Sequence, residues 1–246
     1  MRLEENVGFA RGNNIGARAL PAAAYLFANS DAFVDRPGSV ERMRRALDDP
    51  RVGVVAPRLV NEDGSLQPTV VPLTTPAVAA VRASGLSRLV PNRFQPRWST
   101  HWDHSESREI QAANGAVLLV RRETFDALGG FDESSHMYAE DLDLCWRARG
   151  LGRTVRFVHD AQFVHLGAGS SGGDERDPAR AERVAAAEAA MLARNLSPAR
   201  ARLASGLVAA GLAARAVGFR LLRRPAAAAE MRASLRGLRA ARRRER

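Results

Sequence analysis

Three short apolar runs constrain this chain most: Ala24–Ala28 (AYLFA), Arg51–Val60 (RVGVVAPRLV) and Ala116–Val120 (AVLLV). Each is apolar almost throughout and is bounded by polar turn residues, the pattern of a buried strand. Arg153–His159 and Ala161–His165 alternate apolar and polar residues and predict two further strands. Helical patterns fall between them: about Asn14–Ala23, Asp35 or Ser39 to Leu47, Ala77–Ser84, Arg122–Leu128 and Glu140–Arg149. Strands interleaved with helices predict an α/β fold.

The punctuation is specific. Asn61–Ser65 (NEDGS) carries an Asp-Gly turn, so Leu66–Val71 is expected to return as a hairpin arm. Gly8, Gly12 and Gly16 punctuate the opening, and a glycine-rich loop running into the helix at about Asn14–Ala23 could offer N–H groups to a phosphate, or be a plain turn. Asn29-Ser30-Asp31 follows the first apolar run. Ligands of open α/β sheets sit at the carboxyl ends of strands, so Asp31 is placed to hold a metal or ligand, or else to cap the next helix. His101 and His104 are expected to be solvated on a long irregular loop rather than to form a metal site.

The densest chemistry is in Met137–Arg149 (MYAEDLDLCWRAR), where Glu140, Asp141 and Asp143 open a helical pattern. A carboxylate there sits near the positive end of the helix dipole, which favours its ionised form. Acid/base work is the natural use of such a cluster. Cys145, the single cysteine, excludes an internal disulfide and reads as a buried thiol.

The net charge is +10, yet residues 215–246 hold eleven Arg and two Glu, so the body is nearly neutral. With the charge in a tail and no aromatic residues interleaved, nucleic acid is not an expected partner. From about Asp177 the chain turns helical and Ala/Arg-rich, with predicted helices over Arg180–Asn195 and Leu203–Leu222. The second is apolar nearly all round but carries Arg215 and Arg220, so it is expected to lie on a surface or a partner rather than to span a membrane. Arg239–Arg246 suits anionic lipid, or else is a solvated tail.

Read together, Asn6–Gly16 (NVGFARGNNIG), Tyr25–Ala32 (YLFANSDA), Asn114–Glu133 (NGAVLLVRRETFDALGGFDE), Met137–Arg149 and His165 with its Gly/Ser loop resemble glycosyltransferase family 2. These are inverting enzymes of the GT-A fold, and the likeness is to the rhamnosyltransferase-like bacterial branch over about residues 5–173. The resemblance implies a Rossmann-like mixed central sheet over 1–175, with a helical, basic extension over 176–246. It implies Asp141 as catalytic base with Glu140 beside it, and Asp31 with His165 at a Mg²⁺ or Mn²⁺ ion. Asn29 stands for the first acid of the family's Asp-x-Asp. Gly12, Asn13 and Asn14 would form the loop beside the donor nucleotide, and Asn114, Gly115 and Ala116 would line the donor-sugar pocket.

The partners implied are a dTDP- or UDP-sugar, a glycan or lipid-linked acceptor, and an anionic membrane surface at the cytoplasmic face of the cell membrane. Ser135-His136 replace aromatic residues usual in the family. The family's domain also opens with a βαβ portion of roughly fifty residues that Met1 follows. The expectation is a truncated domain, with weak nucleotide binding by these 246 residues. The alternative is an inactive remnant acting in binding or assembly.

Overall fold

The computed structural model describes residues 4–85, 102–134, 138–167 and 177–244. His101, Ser135, His136, Met137 and most of the Gly/Ser loop after His165 lie outside them.

The chain forms two compact units. The first, among the described residues, covers 4–73, 102–134 and 138–167 and is built on one mixed sheet. Its strands run in the order β1 (Ala24–Ala28), β8 (Val117–Arg121), β3 (Val52–Val60), β9 (Thr154–His165), β2 (Ala32–Val34). Only the β3–β9 pair is parallel. Two short strands extend the sheet: β4 (Leu66–Gln67) pairs with β3, and β6 (Arg108–Ile110) with β9. A separate small ladder joins β5 (Val70–Val71) to β7 (Ala112–Ala113).

The apolar runs are continuous because helices cover both faces of the central strands. Val54 and Ala56 of β3 and Leu118 and Val120 of β8 pack with α1 (Phe9–Ala19), α4 (Arg122–Ala127) and α5 (Glu140–Gly150), through Ala10, Phe125 and Leu144. Val55 and Leu59, with Val117 and Leu119, pack on the other side with Met43 of α2 (Ser39–Ala46). The first run differs: β1 is the sheet edge among the described strands, and only Phe27 of it is buried.

The two strands expected over Arg153–His165 are one. Its register against β3 slips between Pro57–Val158 and Arg58–Gln162. Proline has no N–H to give the ladder, so the pairing breaks there and resumes beyond an irregular stretch of β9. The expected arm Leu66–Val71 divides likewise. Only β4 returns on β3, while β5 leaves to pair with β7.

The second unit takes in α3 (Pro76–Ser84), α6 (Pro178–Asn195), α7 (Pro198–Leu221) and α8 (Pro225–Arg244). Ala185, Ala189, Leu212, Leu238 and Ala241 form its core. Helix α3, read from sequence within residues 1–175, packs with these helices. A Cβ on Gly211 of α7 would fall 2.9 Å from Ala83 Cα, so the two backbones approach at a residue without a side chain. The Arg-rich end is helix α8 rather than an irregular tail as far as Arg244.

Candidate functional site

The turn Asn29–Asp31 links β1 to β2, and β2 lies antiparallel on the last residues of β9 with Ala32 opposite His165. Sheet geometry therefore brings Asp31 and His165 together across 134 positions of sequence. Both side chains are buried, and Asp31 Oδ1 lies 3.4 Å from His165 Nε2. Asn29 Nδ2 is 3.3 Å from the same ring nitrogen. The N-cap alternative for Asp31 is not realised. Helix α2 begins at Ser39, after an intervening strand, with Gly38 as its cap.

A hairpin sets the state of His165. Asn61 Nδ2 donates to Ser65 Oγ at 2.9 Å, and Asn61 Oδ1 accepts from Gln67 Nε2 at 3.1 Å. Gln67 then presents Oε1 to His165 Nδ1 at 2.8 Å. An acceptor at Nδ1 favours the neutral tautomer with its proton there, and Nε2 faces the Asp31 carboxylate. A carboxylate oxygen and an imidazole nitrogen so placed fit a borderline-hard divalent ion, with Mn²⁺ tolerating the imidazole. Among the described residues no third His, Cys, Asp or Glu joins them.

The second half of the site is the corner between β7 and β8. Asn114 Oδ1 accepts the Ala116 N–H at 2.9 Å, which turns the chain, and Gly115 lies at the corner. Asp141 Oδ2 accepts the Gly115 N–H at 2.6 Å, and Oδ1 accepts that of Leu142 at 2.8 Å. The two halves touch through backbone: the Asn29 N–H donates to Ala116 O at 2.9 Å.

Helix α5 delivers its acids from a strained entry. Tyr138 and Ala139 have φ of 78° and 69°, two consecutive non-glycine residues in the left-handed region. Burial raises the Asp141 pKa, against the backbone N–H groups that lower it. The expected net effect of the helix terminus is thus reversed, because desolvation of the carboxylate outweighs those donors. Burial, then the Asp141 charge, pushes Glu140 up to about 7. Glu140 Oε2 is buried with no hydrogen-bond partner among the described residues. Asp143 is structural. It is buried and ion-paired at 2.6 Å to Arg147, which also donates to the carbonyls of Leu128 and Gly130.

The expected donor loop is corrected. Gly12, Asn13 and Asn14 lie inside α1, which starts at Phe9. The Gly12 N–H is engaged by Gly8 O and Asn13 Nδ2 by Phe9 O. Asn14 is buried and clamps Phe131, accepting its N–H at 2.8 Å and donating to its carbonyl at 2.9 Å. Its amide also donates to Glu133. The local glycine spacing suggested a loop, but Phe9 packs edge-on against Phe131 and supports the helix a turn earlier.

His104 is the other correction. It is fully buried and stacks on Trp102. Its Nε2 accepts from the N–H groups of Thr69 and Val70, and Nδ1 faces Trp102 O at 2.8 Å. Burial lowers its pKa to about 4. Sequence reading also missed Asn61 and Gln67. The Asp-Gly turn was the available signal, since a hairpin places the polar residues flanking its turn side by side.

This architecture is the GT-A fold of glycosyltransferases. The whole chain aligns with 70% of a mannosyltransferase from Pyrobaculum calidifontis solved with GDP-Man and Mn²⁺, at a TM-score of 0.56 and 17% identity. By sequence its relatives are glycosyltransferases of the family 2 type, rhamnosyltransferases among them. The N-acetylglucosaminyl-diphospho-decaprenol L-rhamnosyltransferase of Mycobacterium tuberculosis is 34% identical over 150 residues, 58% of this chain and 46% of that protein. The O-antigen biosynthesis protein RfbC of Myxococcus xanthus is 27% identical over 161 residues, 62% of this chain and 12% of that protein. This chain thus spans less than half the length of either relative. No family model matches it.

Proposed function

We propose that the first unit is the transfer centre of an inverting glycosyltransferase. It would take a sugar, rhamnose being the first candidate, from a dTDP- or UDP-linked donor and place it on a glycan or lipid-linked acceptor of the cell envelope. The observation that carries this reading is the continuous set Gln67–His165–Asn29–Ala116–Gly115–Asp141. It joins a pair suited to a metal to an acid pair at one corner of the sheet. The mycobacterial relative acts on a decaprenol-linked substrate by its name, and the Pyrobaculum calidifontis mannosyltransferase was solved with GDP-Man and Mn²⁺.

The chemistry follows from the groups present. An acceptor hydroxyl attacks the anomeric carbon from the side opposite the leaving diphosphate, so one C–O bond forms as another breaks and the configuration inverts. The attacking oxygen loses its proton as it bonds, which requires a carboxylate within hydrogen-bond reach. Asp141 is held for this by two backbone N–H groups, and its carboxylate retains lone pairs for a third partner. Glu140 adds a second proton-binding carboxyl beside it. Mg²⁺ or Mn²⁺ at Asp31 and His165 would supply charge neutralisation for the departing diphosphate. Gln67, bonded to Nδ1, would hold the His165 ring with Nε2 turned toward that ion. A lipid-linked acceptor would set the chain at the cytoplasmic face of the membrane.

The test is transfer from dTDP-rhamnose and UDP-sugars to a lipid-linked glycan acceptor with Mn²⁺, the product anomer read by NMR. It is run on the 246-residue chain and on the in-frame form that includes any coding sequence before Met1. Inverted product supports the reading. Donor binding without turnover by either form favours the binding or assembly alternative.

A further inference from the structure

The second unit carries a surface that the sugar chemistry does not use. Helix α7 is apolar on two opposite faces. Ala201, Ala204, Ser205, Leu212 and Ala216 are buried on one side. Leu203, Val217 and Leu221 share the other side by their spacing of fourteen and four residues. They are 56%, 60% and 78% exposed, and Leu222 just beyond is 68% exposed. Between Leu203 and Leu221 the stripe continues over the exposed Ala210 and Ala214, about 27 Å at the helical rise. The helix is long and apolar enough to cross a membrane by composition, yet only 28% of its most apolar window is buried. An apolar helix in a water-soluble unit would normally be covered on both faces.

The charge beside the stripe says what covers it. Residues 189–229 hold seven Arg and no Asp or Glu. Arg200, Arg202, Arg220, Arg223 and Arg224 are all exposed and sit at the two ends of the stripe. Leucines flanked by arginines with no acid between them match a sheet of apolar chains under negative headgroups. The helix cannot stand upright in such a sheet without leaving its unit. Gly211 packs on Ala83, and Arg215 Nη1 donates to Arg82 O on α3.

We propose that α7 lies flat in the interface of an anionic bilayer, with the Leu203–Val217–Leu221 stripe among the acyl chains and Arg220, Arg223 and Arg224 at the headgroups. The docking element is this face, not the Arg239–Arg246 end. The proposal sharpens the membrane-surface reading above, and a vesicle assay and a transfer assay fail separately.

The experiment is co-sedimentation of the full chain with phosphatidylcholine vesicles, with and without phosphatidylglycerol. Binding to the anionic vesicles is expected, with a loss of roughly tenfold or more on combining Leu203→Gln, Val217→Gln and Leu221→Gln. Circular dichroism of that variant should be unchanged, since the three side chains touch solvent. Arg220→Gln with Arg223→Gln and Arg224→Gln should remove the preference for anionic over neutral vesicles. Arg239→Gln combined with Arg242→Gln, Arg243→Gln and Arg244→Gln, which leaves the buried Ala241 in place, should leave binding within about threefold. Unchanged binding by the triple apolar variant overturns the proposal. So does a chain that ignores vesicles and dimerises through this stripe, read as a dimer by light scattering that the same variant makes monomeric.

Discussion

Asp141 and Gly115 are fitted to each other. The carboxylate accepts the Gly115 N–H at 2.6 Å, and a Cβ on residue 115 would stand 2.7 Å from Asp141 Cβ. No real Cβ contact is that short, so a side chain at 115 must displace the acid. Gly115→Ala is expected to lower stability by about 1–3 kcal/mol, the usual cost of overpacking. It should lower transfer by far more than partial unfolding explains. A melting temperature and a rate from the same preparation decide it; a fully active alanine variant would show that the corner does not position Asp141.

Asp141→Asn keeps the size of the side chain and an oxygen for the Gly115 N–H. Transfer should fall by about 10²–10⁴-fold, the range for a missing general base, while donor affinity stays within a factor of a few. Transfer within tenfold of the parent would remove Asp141 from the role of base.

Glu140 makes stability fall as pH rises from about 4.5 to about 7. Its folded pKa of about 7 lies above the ordinary 4.5, so the folded chain holds a proton that the unfolded chain has lost. Between those values each rise in pH favours unfolding, up to a total of about 3 kcal/mol. Glu140→Gln should therefore gain stability at pH 8 and change little at pH 4. Denaturant melts at the two pH values check the sign, and an equal effect at both would refute the buried, proton-holding carboxyl.

His104 acts in the opposite sense. Its folded pKa of about 4 lies below the ordinary 6.5, because burial disfavours the charged ring, with the positive charges of Arg58 and Arg108 adding to the effect. Stability is fully present above about 6.5 and is lost as pH falls through 4, again by up to about 3 kcal/mol. His104→Gln should cost stability at pH 7 but flatten the acid limb. An acid limb as steep as the parent's would assign it to other groups.

Mn²⁺ is expected to raise the melting temperature through Asp31 and His165. Asp31→Ala should abolish that rise, and Gln67→Leu should weaken it by roughly 10–100-fold in apparent affinity, as for other partners that orient a ligating histidine. A shift that survives Asp31→Ala places the ion elsewhere.

Much of the fold was legible because it is local. Apolar runs mark β3 and β8, and the Asp-Gly turn marks the return of β4. The acid pair at the start of α5 was legible in the same way. What the sequence hid is long-range bonding of single polar side chains. Asn14 looks like part of a glycine-rich loop until Phe131 is beside it, 117 residues on. His104 looks solvated until two amides of β5 and the turn before it converge on its ring. Pro57 sits in a run that reads as one clean strand, and its missing N–H shows only in the slipped partner. For Asp141 the helix terminus, which favours the ionised form, is visible in sequence, whereas the burial that raises its pKa is not.

The thiol of Cys145 lies wholly inside the first unit, and burial pushes its pKa up to about 12. The chain also has no lysine. Its surface is therefore nearly silent to thiol and amine reagents. A single cysteine placed at Leu221 would be the one reactive handle, and a nitroxide or environment-sensitive dye there would read bilayer depth without background from the rest of the protein.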